Sequence, residues 1–352
     1  MHRLAGRRIF SLDGREFIWE HVVLAAYVWE ELPAVERRVG QALATLRRLE
    51  DRGEAPTDEE VEEAATRWRY EHDLLSADDL DSWLAVRELG LDEWLGAIAR
   101  TLVETPARPA RALRAAPAPD EIEAAVFADA MCDGTIGALI ERLAGRAAIF
   151  DRVTSEGGRR GGATKAKLRA AVERLPRTVR RDGLFGMSAA DSVRGAELVA
   201  TMDAAYERFT KSLAGSKTIA REIESHALEW THVSCETLTF DAEGPAREAA
   251  LLIREDGLPM ANVAEVARAE VVSSGLVLED VGSALKAQLV AAQPGDLLGP
   301  VRDGDGFAVT LITARVAPSV DDRATIDRAR DAIVRRTVGA EVEERIRWHE
   351  RF

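Results

Sequence analysis

His226, His232 and Cys235 are residue types that ligate zinc, and they lie close together in the chain. A zinc site needs four such groups on one centre. No second Cys or His pair follows at zinc spacing. If THVSCETLTFD (231–241) is a strand, His232 and Cys235 point to opposite faces of it. No metal is therefore expected. EGGRRGGATKAK (156–167) has the glycines of a phosphate loop, but Lys165 does not directly follow the second glycine of a G-x-x-x-x-G frame, and no strand precedes it. Two carboxylate pairs, Glu255 with Asp256 and Asp303 with Asp305, adjoin Gly257, Gly304 and Gly306. That is turn chemistry, whereas an acid–base pair needs burial that drives two pKa values apart. There is no Gly-x-Ser-x-Gly elbow, no His-Glu-x-x-His and no dinucleotide fingerprint. The residues supply no catalytic set and imply no cofactor.

Charge narrows the partners. The chain carries a net charge of −14, which disfavours nucleic acid. The balance is uneven: residues 159–181 hold nine Lys/Arg against Glu173 alone, a local +8. Arg159, Arg160, Lys165 and Lys167 open this segment and are candidates to steer an acidic peptide. It lacks the interleaved aromatic residues that stack on single-stranded nucleic acid. Charged residues make up 31% and apolar residues 46% of the chain, the balance of a soluble globular protein. No apolar run is long enough to span a bilayer, and the N-terminus lacks a signal-peptide core. The expected setting is the cytoplasm, with Cys132 and Cys235 reduced. Trp19, Trp29, Trp68, Trp83 and Trp94 crowd the first 94 residues. They suit the core of a small helical domain, with one or two lining a groove.

The elements that would position these residues are mostly helices. A short strand, an Asp-Gly turn and an apolar helix open the chain. Capping boxes start helices at Thr57 with Glu60 and at Ser76 with Asp79. Gly90 reads as a helix stop. Residues 105–119, TPARPARALRAAPAP, read as a linker. Further helices fill 120–230 around a basic loop, 155–183. From 231 the order reads β-α-α-α-β-α, with GFAVTLITARV (306–316) as the clearest strand and a long helix from 319 to the end. The expected class is α+β, predominantly helical. The expected domains are 1–104, a helical block at 120–230, a small β-α-β module at 231–318, and a C-terminal helix at 319–352.

Two stretches carry a family likeness. LVAAQPGDLLGPVRDGDGFAVTLITAR resembles the closing half of a parvulin-type (PpiC) peptidyl-prolyl isomerase domain, and TLTFDAEGPAREAALLIREDGLPMANVA resembles its opening half. The N-terminal helices, with LSADDLDSWLAVRELGLDEW, resemble the chaperone part of SurA-like proteins, to which DRARDAIVRRTVGAEVEERIRW would return. The whole is similar to SurA-like peptide-maturation-system proteins. Active parvulins carry a histidine on the first strand and another on the last. Here the corresponding positions read as Glu236 and Ala308, and the middle loop reads as shortened to RAEVVSSGLVLED. The resemblance thus implies a groove that binds peptide, lined by Leu251, Met260, Phe307, Val309 and Leu311, with no catalytic residue. The function expected from it is a cytoplasmic, chaperone-like protein that binds a peptide or unfolded segment, for example an acidic precursor leader or a peptide-modifying enzyme, during maturation of a ribosomally made peptide. An active prolyl isomerase is the alternative, because a desolvated groove favouring the twisted amide lowers that barrier without covalent help.

Overall fold

A computed structural model describes residues 1–103, 117–155 and 162–352. The fold is α+β, predominantly helical, with two small antiparallel sheets. The chain divides into two compact units, Met1–Lys211 together with Thr337–Phe352, and Ser212–Arg336. Among the described residues no helix is long and apolar enough to cross a membrane.

The first unit opens with a hairpin, β1 (Arg8–Leu12) and β2 (Arg15–Ile18), turned at Asp13 and Gly14, both at positive φ. Helices follow in order: α1 (Trp19–Val28), α2 (Glu31–Glu50), α3 (Asp58–Glu71), α4 (Ala77–Arg87), α5 (Leu91–Thr101), α6 (Pro119–Cys132), α7 (Thr135–Ser155), α8 (Lys165–Arg174), α9 (Arg177–Asp182) and α10 (Ala189–Leu213). The capping boxes of α3 and α4 form, with Thr57 and Ser76 accepting from the Glu60 and Asp79 amides. Gly90 does not stop α4. Glu88 does, in the left-handed region at φ 52°, and Gly90 is the extended N-cap of α5. One core runs through the unit. α1 is buried almost all round, and residues of α6, α7, α8 and α10 share its apolar cluster. Helices α6 to α10 therefore contribute to the first unit's core, and α11 (Ser216–Ser225) belongs to the second unit. Helices α1 and α10 pack so closely that a Cβ on Gly195 would stand 2.6 Å from Leu24 Cδ1. Trp19 and Trp94 are interior. Trp68 meets Trp83 and Trp94 edge to face.

The second unit runs α11 (Ser216–Ser225), β3 (His232–Phe240), α12 (Glu243–Arg254), α13 (Met260–Ala267), β4 (Val272–Val277), α14 (Ser283–Ala291), β5 (Leu297–Asp303), β6 (Gly306–Val316) and the first part of α15 (Arg323–Arg345). Two of its strands, β4 and β5, were not in the expected order. VSSGLV is rich in Ser and Gly, and LLGPVRD contains a proline, so neither has the β-branched alternation that marks a strand. The sheet order is β4-β3-β6-β5, all antiparallel, so the first and last strands meet in the middle. Residues 346–352 do not continue the helix. β7 (Ile346–Trp348) pairs with β1, and Trp348 packs edge to face on Phe10.

Candidate functional site

The register of the central pair β3–β6 fixes what each sheet face offers. Leu238 stands opposite Val309, Phe240 opposite Phe307, and Glu236 opposite Leu311. Most of this face is closed. Ala246, Ala249 and Ala250 of α12 and Met260 and Val263 of α13 pack against it. Val309 is 0% and Met260 3% exposed, and Phe307 and Leu311 lean on the same core from half-buried positions. Leu251 is 55% exposed, on α12. These five residues were the expected peptide groove. The alternation correctly puts Phe307, Val309 and Leu311 on one side, but that side is the one the helices fill. Glu236 and Ala308 also separate: Ala308 faces Thr239, so it lies on the opposite face from Glu236. The two cannot form one site.

The other face is covered over half its length. Val233, Cys235 and Ile312 lie with Leu278, and with Leu289 and Ala292 at the end of α14. Arg315 secures that cover by donating to the Leu289 and Ala292 carbonyls, each at 2.6 Å. Cations favour helix C-termini because the last carbonyls lack helical partners. Beyond this cover the face stays partly open. Val272, Thr237, Thr310 and Leu298 form one cross-strand row, and Thr239, Ala308 and Val301 the next. Val272 is 51% exposed, Thr239 is exposed and the rest are half-buried. Thr237 Oγ1 and Thr310 Oγ1 are hydrogen-bonded at 3.1 Å, and Cys235 Sγ lies 3.1 Å from Ser274 Oγ. The result is an uncharged shelf of methyls and hydroxyls. A hydroxyl whose partner is another hydroxyl has no base to activate it. It can still donate to a carbonyl or accept from an amide, so the shelf is suited to holding main chain.

The remaining candidates stand as follows. His232 and Cys235 do lie on opposite faces, and the His232 ring covers Gly275, where a Cβ would stand 2.5 Å from Nε2. His226 stacks on Trp230. Arg159 and Arg160 lie outside the described residues. Lys165 opens α8, exposed, and Lys167 is held by Glu207 at 2.7 Å. Arg169, Arg174 and Arg181 pair with Glu173, Glu30 and Asp182. Four of the segment's nine cations are thus paired in place, which lowers the charge it can offer to a distant acidic peptide. In the first unit a pocket of about 530 Å³ opens beside Trp68 and His72. Its charges are spoken for: Arg38 pairs with Asp133, and Arg100 with Asp129 at 2.7 Å. Burial raises the Asp129 carboxyl against the pull of Arg100, and pushes the Cys132 thiol up to about 12.

Thr237 and Thr310 were legible only as strand residues. The signal that marks them is the hydroxyl at matched positions of TLTF and FAVT, which needs the register to become a pair. Comparison of the chain with protein-family models and with curated proteins found no match.

Proposed function

We propose that the second unit is a parvulin-type module that binds an extended peptide on its open face without isomerising it. The observation that carries this is the Thr237–Thr310 pair. The resemblance implies histidines on the first and last strands, and here the pairs that face each other across those strands on the open side are Thr237 with Thr310 and Thr239 with Ala308. Apolar Val272, Leu298 and Val301 flank them, so affinity comes from apolar burial, with the hydroxyls aligning the peptide main chain. The connectivity supports the reading, since a strand, two helices, a strand, a helix and two strands place the first and last strands side by side. In this reading the protein acts in the cytoplasm as a SurA-like holder of a peptide undergoing maturation, and the first unit is its chaperone-like part.

Two measurements test it. In a cis–trans exchange assay on short Xaa-Pro peptides, the protein should give no acceleration over buffer. A fluorescein-labelled peptide, GAVFPLAG, should bind, and Thr310→Trp, which fills the shelf, should weaken it at least tenfold. Acceleration that disappears in the Thr237→Val, Thr310→Val double variant would make the protein an isomerase and overturn the reading. Binding that ignores Thr310→Trp would remove the shelf.

A further inference from the structure

The two edges of the second unit's sheet are built differently. β5 carries Pro300, a register shift between Leu298 and Val301, and the charges of Arg302 and Asp303. These are the devices by which edge strands avoid pairing with other chains. β4, VSSGLV, has none of them: no charge, no proline and an unbroken register against β3. Its first four residues are exposed. The bond from the Leu278 amide to the Thr231 carbonyl fixes the phase of the ladder. Val272, Ser274 and Leu276 turn their main chain toward β3, and Ser273, Gly275 and Val277 turn theirs outward. Among the described residues β4 pairs with β3 alone, so no strand covers that outer row.

The ends of β4 say what fits there. Val277 leads into a groove of about 1000 Å³ whose walls carry five acidic side chains against Arg328, Arg335 and His232. Arg328 engages Glu279 and Asp280, Arg323 and Arg330 engage Asp327, and Thr325 donates to Asp322, while Asp331 is exposed and without a partner among the described residues. Exposed apolar surface at Val316 lies in the same groove. Glu270 stands just before the strand at its other end. Two copies paired antiparallel about Gly275 would set Glu270 of one against Asp280 of the other. Arg328 already neutralises Asp280, so the bias comes from Glu270 and Asp331 at the two ends, unpaired among the described residues, which favour a partner with basic ends.

We infer that the outer edge of β4 receives an extended peptide as a fifth strand, with an uncharged, proline-free centre on Ser273–Val277 and a basic residue in the acidic groove. Main-chain bonds supply the affinity and the groove supplies the preference for Lys or Arg. This deepens the peptide-binding reading and rests on it only in that both place peptides on this unit; the edge and the shelf are separated by different variants and different probes.

The test uses the full chain and a fluorescein-labelled peptide, RKSVTVSTKR. It should bind wild type, and the same peptide with Glu at the four basic positions should bind at least fivefold more weakly. Ser273→Pro removes one outward N–H and leaves the β3 ladder intact, since proline is tolerated on a strand edge where its nitrogen faces solvent. It should cost at least tenfold for RKSVTVSTKR and less than twofold for GAVFPLAG, with Thr310→Trp giving the reverse. Ser273→Lys keeps the donor and should weaken the basic probe several-fold while sparing the acidic one. On binding, the Ser273, Gly275 and Val277 amides should gain protection from hydrogen exchange. Absence of binding by wild type, or binding with no protection of those amides, overturns the inference and leaves the shelf standing. A wild-type dimer that Ser273→Pro converts to monomer overturns it in favour of a second copy as the occupant.

Discussion

His21 is held neutral by its surroundings. Its Nδ1 accepts the Ile18 amide at 3.1 Å, closing the first turn of α1 from inside, and its ring tilts against Phe17. Burial first, and the Arg15 guanidinium second, lower its pKa from the usual 6.5 to about 4. Between those values the unfolded chain binds a proton that the folded chain refuses. The contribution is therefore fully present above about pH 6.5 and is lost as pH falls toward 4. The amount is on the order of 3 kcal/mol. His21→Gln keeps an acceptor at the third helical position, where Gln suits a capping box, and removes the titration. Urea midpoints measured from pH 7 to pH 4 should fall less steeply for this variant than for wild type. An unchanged slope would mean that His21 is charged in the folded protein. The cysteines give a second check. Cys132 and Cys235 are both buried, and the Cys132 thiol is pushed up to about 12. Thiolate is the reactive form. A disulfide reagent at pH 8 should label neither residue in the native protein and both in guanidinium. Prompt native labelling would place a thiol at the surface.

At the level of elements, the last residues do more than end a helix. β7 adds the third strand to the N-terminal hairpin, the His349 and Glu350 amides donate to the Ile9 carbonyl, and Phe352 lies against Trp19. Helix α15 is anchored nearby, where Glu341 is gripped by Arg152 and Arg345, and Arg345 also reaches Asp151 at 3.0 Å. Removing residues 346–352 should expose Phe10 and Trp19 and lower the first unit's stability by about 3 kcal/mol or more, read as a thermal midpoint several degrees lower. A truncated protein as stable as the full chain would show that the strand adds nothing. This element also marks the limit of the sequence. IRW follows a strongly helical stretch, and only its pairing with β1 makes it a strand. The same holds for VSSGLV, whose small residues carry little strand preference until β3 is beside them. The capping boxes, the long helices and GFAVTLITARV were legible because each is a local pattern. That Glu236 and Ala308 lie on opposite faces was not legible, because a face is a property of register, and register needs two strands. Met260 and Val309 were misread because an apolar stripe is the same whether a helix or a peptide covers it.

At the scale of the molecule, the chain leaves the first unit after Lys211, builds the second without interruption and re-enters the first at Thr337. Each unit has its own apolar interior. Leu238, Val263 and Val309 belong to one wholly within 212–336, and Phe10, Trp19 and Leu143 to another within the first unit. Cores that share no side chains have separate reasons to stay folded, and local opening then follows the unit rather than the chain. Val309→Ala removes two methyl groups from a fully buried position, a loss of about 2 kcal/mol. Native-state hydrogen exchange should report that loss at the slowest amides of β3, β6 and α12. The amides of β1, α1 and α7 should keep their wild-type rates. The reciprocal variant, Leu143→Ala on α7, should do the opposite. If either substitution speeds exchange equally in both units, the chain opens as one cooperative body. The second unit's sheet would then draw its stability from the helical unit. If the effects stay apart, the sheet stands on its own core, and variants of Thr310 and Ser273 leave the unit that surrounds Trp19 undisturbed.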